Sequence, residues 1–260
     1  MTPERAAALL RAAQLEGRTL DPFTDEHPGL DEEWGYAVQD LDLAARLAGG
    51  ERRIGAKLGL TSAAKQQRMG VTRPVVGFLT DALLREPGRV DVDQWVQPRV
   101  EPEIAFRTSA PIDRALRRAD LPSYVDGVAM AVEVLDSRWT GYRFRLADVL
   151  ADATSAAGVV LGPVVLDPTG LDLAALPCTV EVDGAVVDRA TGAAVLGDPW
   201  RALELLSEHL ERRREVLPPG SWVLAGALTD AVPLEAGRTH RLSVGPLGSV
   251  ELVGVSTGLH

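Results

Sequence analysis

Val100-Glu101-Pro102-Glu103-Ile104-Ala105-Phe106 places two carboxylates two residues apart inside an otherwise apolar run. In an extended strand, residues i and i+2 share a face, so Glu101 and Glu103 project side by side. Like charges that close repel unless a cation lies between them. Spacing alone leaves two readings open. One is a solvated edge strand, which Pro102 permits because proline lacks a ladder donor; the other is a pair of metal ligands. Glu133, in "MAVEVLDSRW", is a third acid among apolar residues, where an unpaired carboxylate is costly. Three carboxylates suit a hard divalent cation such as Mg2+ or Mn2+, which takes oxygen ligands and keeps some of its waters.

Lys57, in "RIGAKLGLTS", is the next candidate. A lysine among Ile54, Ala56, Leu58 and Leu60 either snorkels outward, the commoner fate, or points inward as a cation of tunable pKa. The glycines around it lack the order of a phosphate-binding loop, GxxxxGK[ST]. His27, His209, His240 and His260 are scattered with no HExxH or i, i+4 pair, which argues against zinc. No GxSxG elbow is present, and Cys178 in "GLDLAALPCTVEV" has no activating neighbour, so it reads as a small core residue.

These residues need a scaffold, and 260 residues can bury a sizeable core. Composition is that of an ordinary soluble chain, 46% hydrophobic and 25% charged. With 37 acidic against 27 basic side chains the net charge is −10, which disfavours nucleic acid or an anionic membrane surface as partner. An anionic small substrate would need a local positive centre. The N-terminal segment interrupts its apolar residues with Glu4, Arg5 and Arg11, leaving no signal-peptide core. No apolar run approaches the ~18 residues of a spanning helix, and the expected setting is cytoplasmic.

Thr2 as cap and Pro3 in the first turn predict a helix to about Leu15. A second helix is predicted over 32–47, where Trp34, Val38, Leu41 and Ala45 recur at helical spacing before Gly49-Gly50. From Arg53 onward the texture is β-rich: "IGAKLGL", "VVGFLTDALL", "RVEPEIAF", "AMAVEVLD", "AGVVLGPVVL", "CTVEVDGAVV", "SWVLAGAL" and "HRLSVGPLGSVELVGV". Asp198-Pro199 opens one later helix, with Trp200, Leu203, Leu206 and Leu210 on one face. The expectation is an α+β protein: a helical N-terminal region, 1–52, and a β-dominated body, 53–260, in one integrated domain.

Six ordered stretches carry a resemblance: "GAKLGLTSAAKQQRMGVTRPVVGFLTD", "QPRVEPEIAF", "VEVLDSRW", "VLADATSAAGVVLG", "GAAVLGDPWRALELL" and "GSVELVGV". Together they resemble the 2-keto-4-pentenoate hydratase and 2-oxo-3-hexenedioate (4-oxalocrotonate) decarboxylase family of aromatic meta-cleavage pathways, whose fold is that of fumarylacetoacetate hydrolase. The resemblance implies metal-binding roles for Glu101, Glu103 and Glu133 with Mg2+ or Mn2+, an active-site role for Lys57, and substrate contacts at Leu58, Asp81, Thr154 and Ser155. It also implies a small anionic 2-oxo acid substrate and a homo-oligomer able to associate with a partner hydratase.

"AFRTSAPI" and "DSRWTGYRFRLADVLAD" look more like the decarboxylases, which commonly read "AFVTKAPL" and "DSRYxxFKFxLxxVxAD", than like the hydratases. The implied reaction is therefore decarboxylation of 2-oxo-3-hexenedioate to 2-hydroxypenta-2,4-dienoate, with hydration of the dienoate as the alternative and a non-catalytic binding subunit behind both. Arg138, Arg143 and Arg145 are candidates for the far carboxylate of the diacid, and at least two of the three are expected to be solvated surface charges. One departure stands out: Ala153 follows Asp152 where the family usually has Asn.

Overall fold

The computed structural model describes residues 1–258, the side chain of residue 68 excepted. The chain opens with helices α1 (Pro3–Leu15), α2 (Phe23–Glu26) and α3 (Glu32–Ala48). Two of them are capped by side chains: Thr2 Oγ1, as predicted, accepts from the Arg5 amide at 3.4 Å, and Asp31 Oδ1 accepts from the Trp34 amide at 2.9 Å. Strands β1 (Arg53–Gly59) and β2 (Val75–Thr80) flank helix α4 (Ala63–Met69). There follow β3 (Gly88–Asp91), β4 (Arg99–Thr108), β5 (Val125–Leu135), helix α5 (Leu146–Ala151), β6 (Ala156–Leu161) and β7 (Val165–Leu166). The chain continues through β8 (Pro177–Val182), β9 (Ala185–Thr191), helix α6 (Pro199–Arg213), β10 (Trp222–Ala227), β11 (Val232–Pro233), β12 (Thr239–Val244) and β13 (Ser249–Val255).

The strands form two sheets. One runs β2-β1-β10-β4-β5-β6, with β11 and β7 as short additions to β4 and β5; the other runs β3-β13-β12-β8-β9. Asp183 and Gly184, both at positive φ (50° and 78°), make the two-residue turn that joins β8 to β9. The main core lies between the sheets: Val100, Ile104 and Phe106 of β4 and Val128, Met130, Val132 and Val134 of β5 meet Val180, Leu242 and Leu252 from the other sheet, with Leu203, Leu206 and Leu210 of α6. Each such side chain, fully buried, contributes about 1.5–3 kcal/mol. Cys178 belongs to this core, and burial pushes its thiol up to about 12.

Because the core takes the even-numbered residues of β4 and β5, the odd-numbered ones, including Glu101, Glu103 and Glu133, face the other side of the larger sheet. The N-terminal helices reach toward that side. Tyr36 Oη accepts from the Val76 amide at 3.1 Å, and Gln39 Nε2 donates to Leu150 O at 3.0 Å, so α3 is tied to β2 and α5. Phe23 meets Trp139 edge to face at 5.0 Å. Among the described residues, no helix is long and apolar enough to cross a membrane.

Pro102 does not mark an edge. Strand β4 lies inside its sheet, between β10 and β5. The Pro102 carbonyl accepts from Leu228 N at 2.9 Å, so its missing donor falls on the side where the register of β10 breaks between Leu224 and Ala227. The solvated-strand reading of Glu101 and Glu103 is thereby excluded: these residues are 7% and 0% exposed.

Candidate active site

Antiparallel register sets Glu101 of β4 directly opposite Glu133 of β5, and Glu103 follows two residues on along the same face. One oxygen from each of the three carboxylates lies within 4.8 Å of the others, the single group of this kind among the described residues. Lys57 projects from β1 into the cluster, with Nζ 3.1 Å from Glu133 Oε1 in an ion pair that lacks hydrogen-bond alignment, and donates to Thr154 O at 3.2 Å. The lysine points inward and is 3% exposed, so the snorkelling reading fails.

The charges do not balance within the cluster. Three carboxyl groups face one ammonium, and ionising all three would leave an excess of two negative charges among buried groups. Burial, with Lys65 opposing it and Glu133 reinforcing it, pushes Glu101 up to about 7. Burial and then Glu133 and Glu101 hold Glu103 well above the ordinary carboxylate range. For Lys57, burial alone would lower the pKa; the three glutamates outweigh it, Glu133 first, and keep the ammonium protonated. Glu103 Oε2 accepts from the Gly226 amide at 2.7 Å, whereas Glu103 Oε1 and both Glu133 oxygens have no hydrogen-bond partner. Buried carboxylate oxygens that converge without hydrogen bonds, three acids against one ammonium, fit a divalent cation with oxygen ligands.

Two glycines and a turn hold this arrangement. A Cβ on Gly77 would lie 2.4 Å from Thr154 Oγ1 and 3.1 Å from Lys57 Cδ, so β2 can pass the lysine only without a side chain there. Gly226 has φ +120°, and a Cβ on it would meet Thr61 Oγ1 at 2.1 Å. Ala153, Thr154 and Ser155 are consecutive non-glycine residues at positive φ (44°, 56° and 62°). Such backbone stores of order 1–3 kcal/mol per residue, and here it aims the Thr154 carbonyl at Lys57. Asp152 Oδ2 accepts from Ser155 Oγ at 3.2 Å and from the Arg138 amide at 3.1 Å. The usual Asn would suit the left-handed backbone at 153 better than Ala153 does.

A cleft of about 520 Å3 opens over the cluster, lined by Lys57, Glu101, Thr154 and Ser155 together with Leu60, Lys65, Val75, Arg99, Tyr142, Arg143, Phe144 and Asp230. Glu103 and Glu133 lie beneath its floor, both 0% exposed.

Two expected substrate contacts lie elsewhere. Leu58, one residue past Lys57, turns to the opposite face and packs in the main core, while Gly59 and Leu60 line the cleft. Asp81 sits after β2, where Arg52 holds it by an ion pair at 2.9 Å, and it does not line the cleft. Of the three candidate arginines, Arg138 is buried and committed to Asp152. Arg143 reaches the rim, pairing with Asp25 at 2.6 Å, and Arg145 lines a neighbouring hollow. His209 packs on Tyr36 at 5.1 Å and His240 Nε2 meets Pro233 O at 2.8 Å, both away from the cluster; His260 lies outside the described residues.

Arg99, Lys65, Tyr142 and Asp230 were not legible as cleft residues. Arg99 shares a face with Glu101 by the same i, i+2 rule, so spacing could have found it. The other three arrive from loops and a short helix.

Residues 54–253 match the Fumarylacetoacetate (FAA) hydrolase C-terminal family. A 4-oxalocrotonate decarboxylase of a Pseudomonas species is 36% identical over 251 residues, 96% of this chain and 97% of that one. The 2-keto-4-pentenoate hydratase of Burkholderia vietnamiensis is 38% identical over 248 residues, 94% of each chain. Among solved structures, the 4-oxalocrotonate decarboxylase of Pseudomonas putida G7, complexed with magnesium and adipate, superposes with a TM-score of 0.92 at 32% identity, covering 98% of this chain and 99% of that one.

Proposed function

The chain belongs to the fumarylacetoacetate hydrolase family, and on that premise we propose that it is a lyase that decarboxylates 2-oxo-3-hexenedioate with the help of a divalent cation, Mg2+ by preference. The observation that carries this reading is the buried trio Glu101, Glu103 and Glu133 with Lys57 against it, under a cleft. The diacid form of the substrate rests on the relative from Pseudomonas putida G7, whose adipate is a six-carbon diacid.

In 2-oxo-3-hexenedioate the departing carboxylate is one vinyl unit beyond the β-keto position. The C5–C6 bond breaks and C6 leaves as CO2. Its electron pair forms C4=C5, the former C3=C4 pair moves to C2=C3, and negative charge arrives on the C2 oxygen. Protonation of that oxygen gives 2-hydroxypenta-2,4-dienoate. A divalent cation held by Glu101, Glu103 and Glu133 supplies Lewis-acid stabilisation of the charge on the C2 oxygen.

Lys57 is kept as an ammonium by the glutamates, so it acts as a fixed positive charge and proton donor beside that oxygen. The Thr154 carbonyl accepts a hydrogen bond from it and fixes its direction. Leu60, Val75 and Phe144 give the cleft apolar wall, which disfavours a charged carboxylate and favours its loss as neutral CO2.

The hydratase relative keeps a second reaction in view, water addition to 2-hydroxypenta-2,4-dienoate, since both reactions place charge on the same oxygen. The deciding experiment offers each substrate to purified protein with Mg2+ and follows CO2 release and water addition separately. The same reading takes the protein as a homo-oligomeric, cytoplasmic enzyme that passes its dienol product to a hydratase.

A further inference from the structure

Arg99 stands two residues before Glu101 on β4, about 7 Å along the strand and on the same face. Along that face exposure grows from Glu103, fully buried, through Glu101 to Arg99, partly buried, so the strand runs from the cluster toward the mouth of the cleft. The other three cations that line the cleft are engaged by acids: Lys57 with Glu133 at 3.1 Å, Lys65 with Asp230 at 3.8 Å, and Arg143 with Asp25 at 2.6 Å. Arg99 pairs with no carboxylate among the described residues. Its guanidinium carbon lies over the ring of Tyr142, 4.3 Å from the centroid.

Tyr142 is itself fixed. Its hydroxyl reaches Gln97 O and Leu135 O, each at 3.1 Å, bridging the start of β4 to the end of β5. The ring is therefore a fixed support that holds the guanidinium over its face by cation–π attraction and leaves the N–H donors free. A flat guanidinium with free donors is matched to a carboxylate.

We propose that Arg99, oriented by Tyr142, is the receiver for the far carboxylate of the diacid, an inference that rests on the decarboxylase reading above. A C1 carboxylate and C2 oxygen placed at the glutamate cluster direct the remaining carbons along the Glu101–Arg99 face. The separation of those two residues is comparable to the length of an extended six-carbon diacid. Because this guanidinium shares its face with an aromatic ring and is only partly buried, it positions the carboxylate without enclosing it, which leaves the C5–C6 bond free to break.

The test is a matched pair of non-reacting ligands, 2-oxohexanedioate and 2-oxohexanoate, which differ only in the far carboxylate. Their binding is measured by calorimetry in Mg2+ with the wild-type protein and with Arg99→Gln, Arg99→Lys and Arg143→Gln. Arg99→Gln should weaken the diacid about tenfold or more, the worth of a lost charge-assisted pair, and leave the monoacid within about twofold. Arg99→Lys should recover part of the loss. In turnover, the Arg99→Gln loss should fall on KM more than on kcat.

Equal weakening of both ligands overturns the proposal, because Arg99 would then hold the C1 end or the fold. A selective loss that follows Arg143→Gln instead of Arg99→Gln overturns it too, as does no change at all. Wild-type CO2 release tests the decarboxylase reading separately: a wild type that releases none but still loses diacid selectivity in Arg99→Gln keeps the receiver and discards the reaction.

Discussion

Glu101 and Glu133 face each other directly across the β4–β5 ladder, two carboxylates on one side of a sheet with their backbones in register. Like charges so placed destabilise a sheet, and here both are buried, so the arrangement costs stability that Lys57 returns in part and a bound cation would return further. Glu101→Gln should therefore raise the melting temperature in EDTA while abolishing turnover. Mg2+ should stabilise the wild type by mass action and fail to stabilise the variant. Thermal melts with and without the cation check both; a Glu101→Gln protein that melts lower in EDTA would contradict the charge argument.

Lys57→Ala removes the cation that offsets the glutamates. Turnover should fall at least about a hundredfold, within the usual range for acid–base groups. In EDTA the fold should also lose about 3–5 kcal/mol, the usual effect of leaving buried charge unpaired. Saturating Mg2+ should restore most of the stability and none of the rate, which urea titrations beside steady-state kinetics would show.

Gly77→Ala is a change of one methyl far milder in chemistry than in geometry. The new Cβ collides with Thr154 Oγ1 and presses on Lys57, so kcat should drop by about tenfold or more while the protein stays folded. Normal kinetics for this variant would show that the Lys57–Thr154 contact is dispensable.

His209 makes stability depend on pH. Burial, then Arg213, lowers its pKa from the ordinary 6.5 to about 4. Between those values the unfolded chain binds a proton that the native chain does not, so stability falls as pH drops from 6.5 toward 4. The contribution reaches a few kcal/mol at most. His209→Gln should flatten the slope of urea midpoints across that window; an unchanged slope would assign it to other groups.

Much of this was written locally. Thr2-Pro3 and Asp198-Pro199 open helices where their caps predict, Asp31 caps another, and Asp183-Gly184 joins a hairpin. The three glutamates and Lys57 stood out as charge in apolar runs, but the residues alone left a solvated strand and a snorkelling lysine open, and their site roles came from the family resemblance. What was not legible depends on contacts distant in sequence. Tyr142 reaches the cleft only because β4 and β5 pair; α4 and α5 are 7 and 6 residues long, too short for periodicity to reveal. Leu58 was expected at the cleft, yet the two-residue period of β1 turns it from the face that Lys57 occupies.

Supplying 2-oxo-3-hexenedioate to the purified protein in Mg2+ and measuring CO2 and 2-hydroxypenta-2,4-dienoate together decides whether the protein is a decarboxylase. The two should appear in equal amounts, EDTA should stop both, and Mg2+ or Mn2+ should restore them. Absence of CO2, while 2-hydroxypenta-2,4-dienoate supplied in a parallel assay is hydrated to 4-hydroxy-2-oxopentanoate, or full activity in metal-free protein, would overturn the decarboxylase assignment.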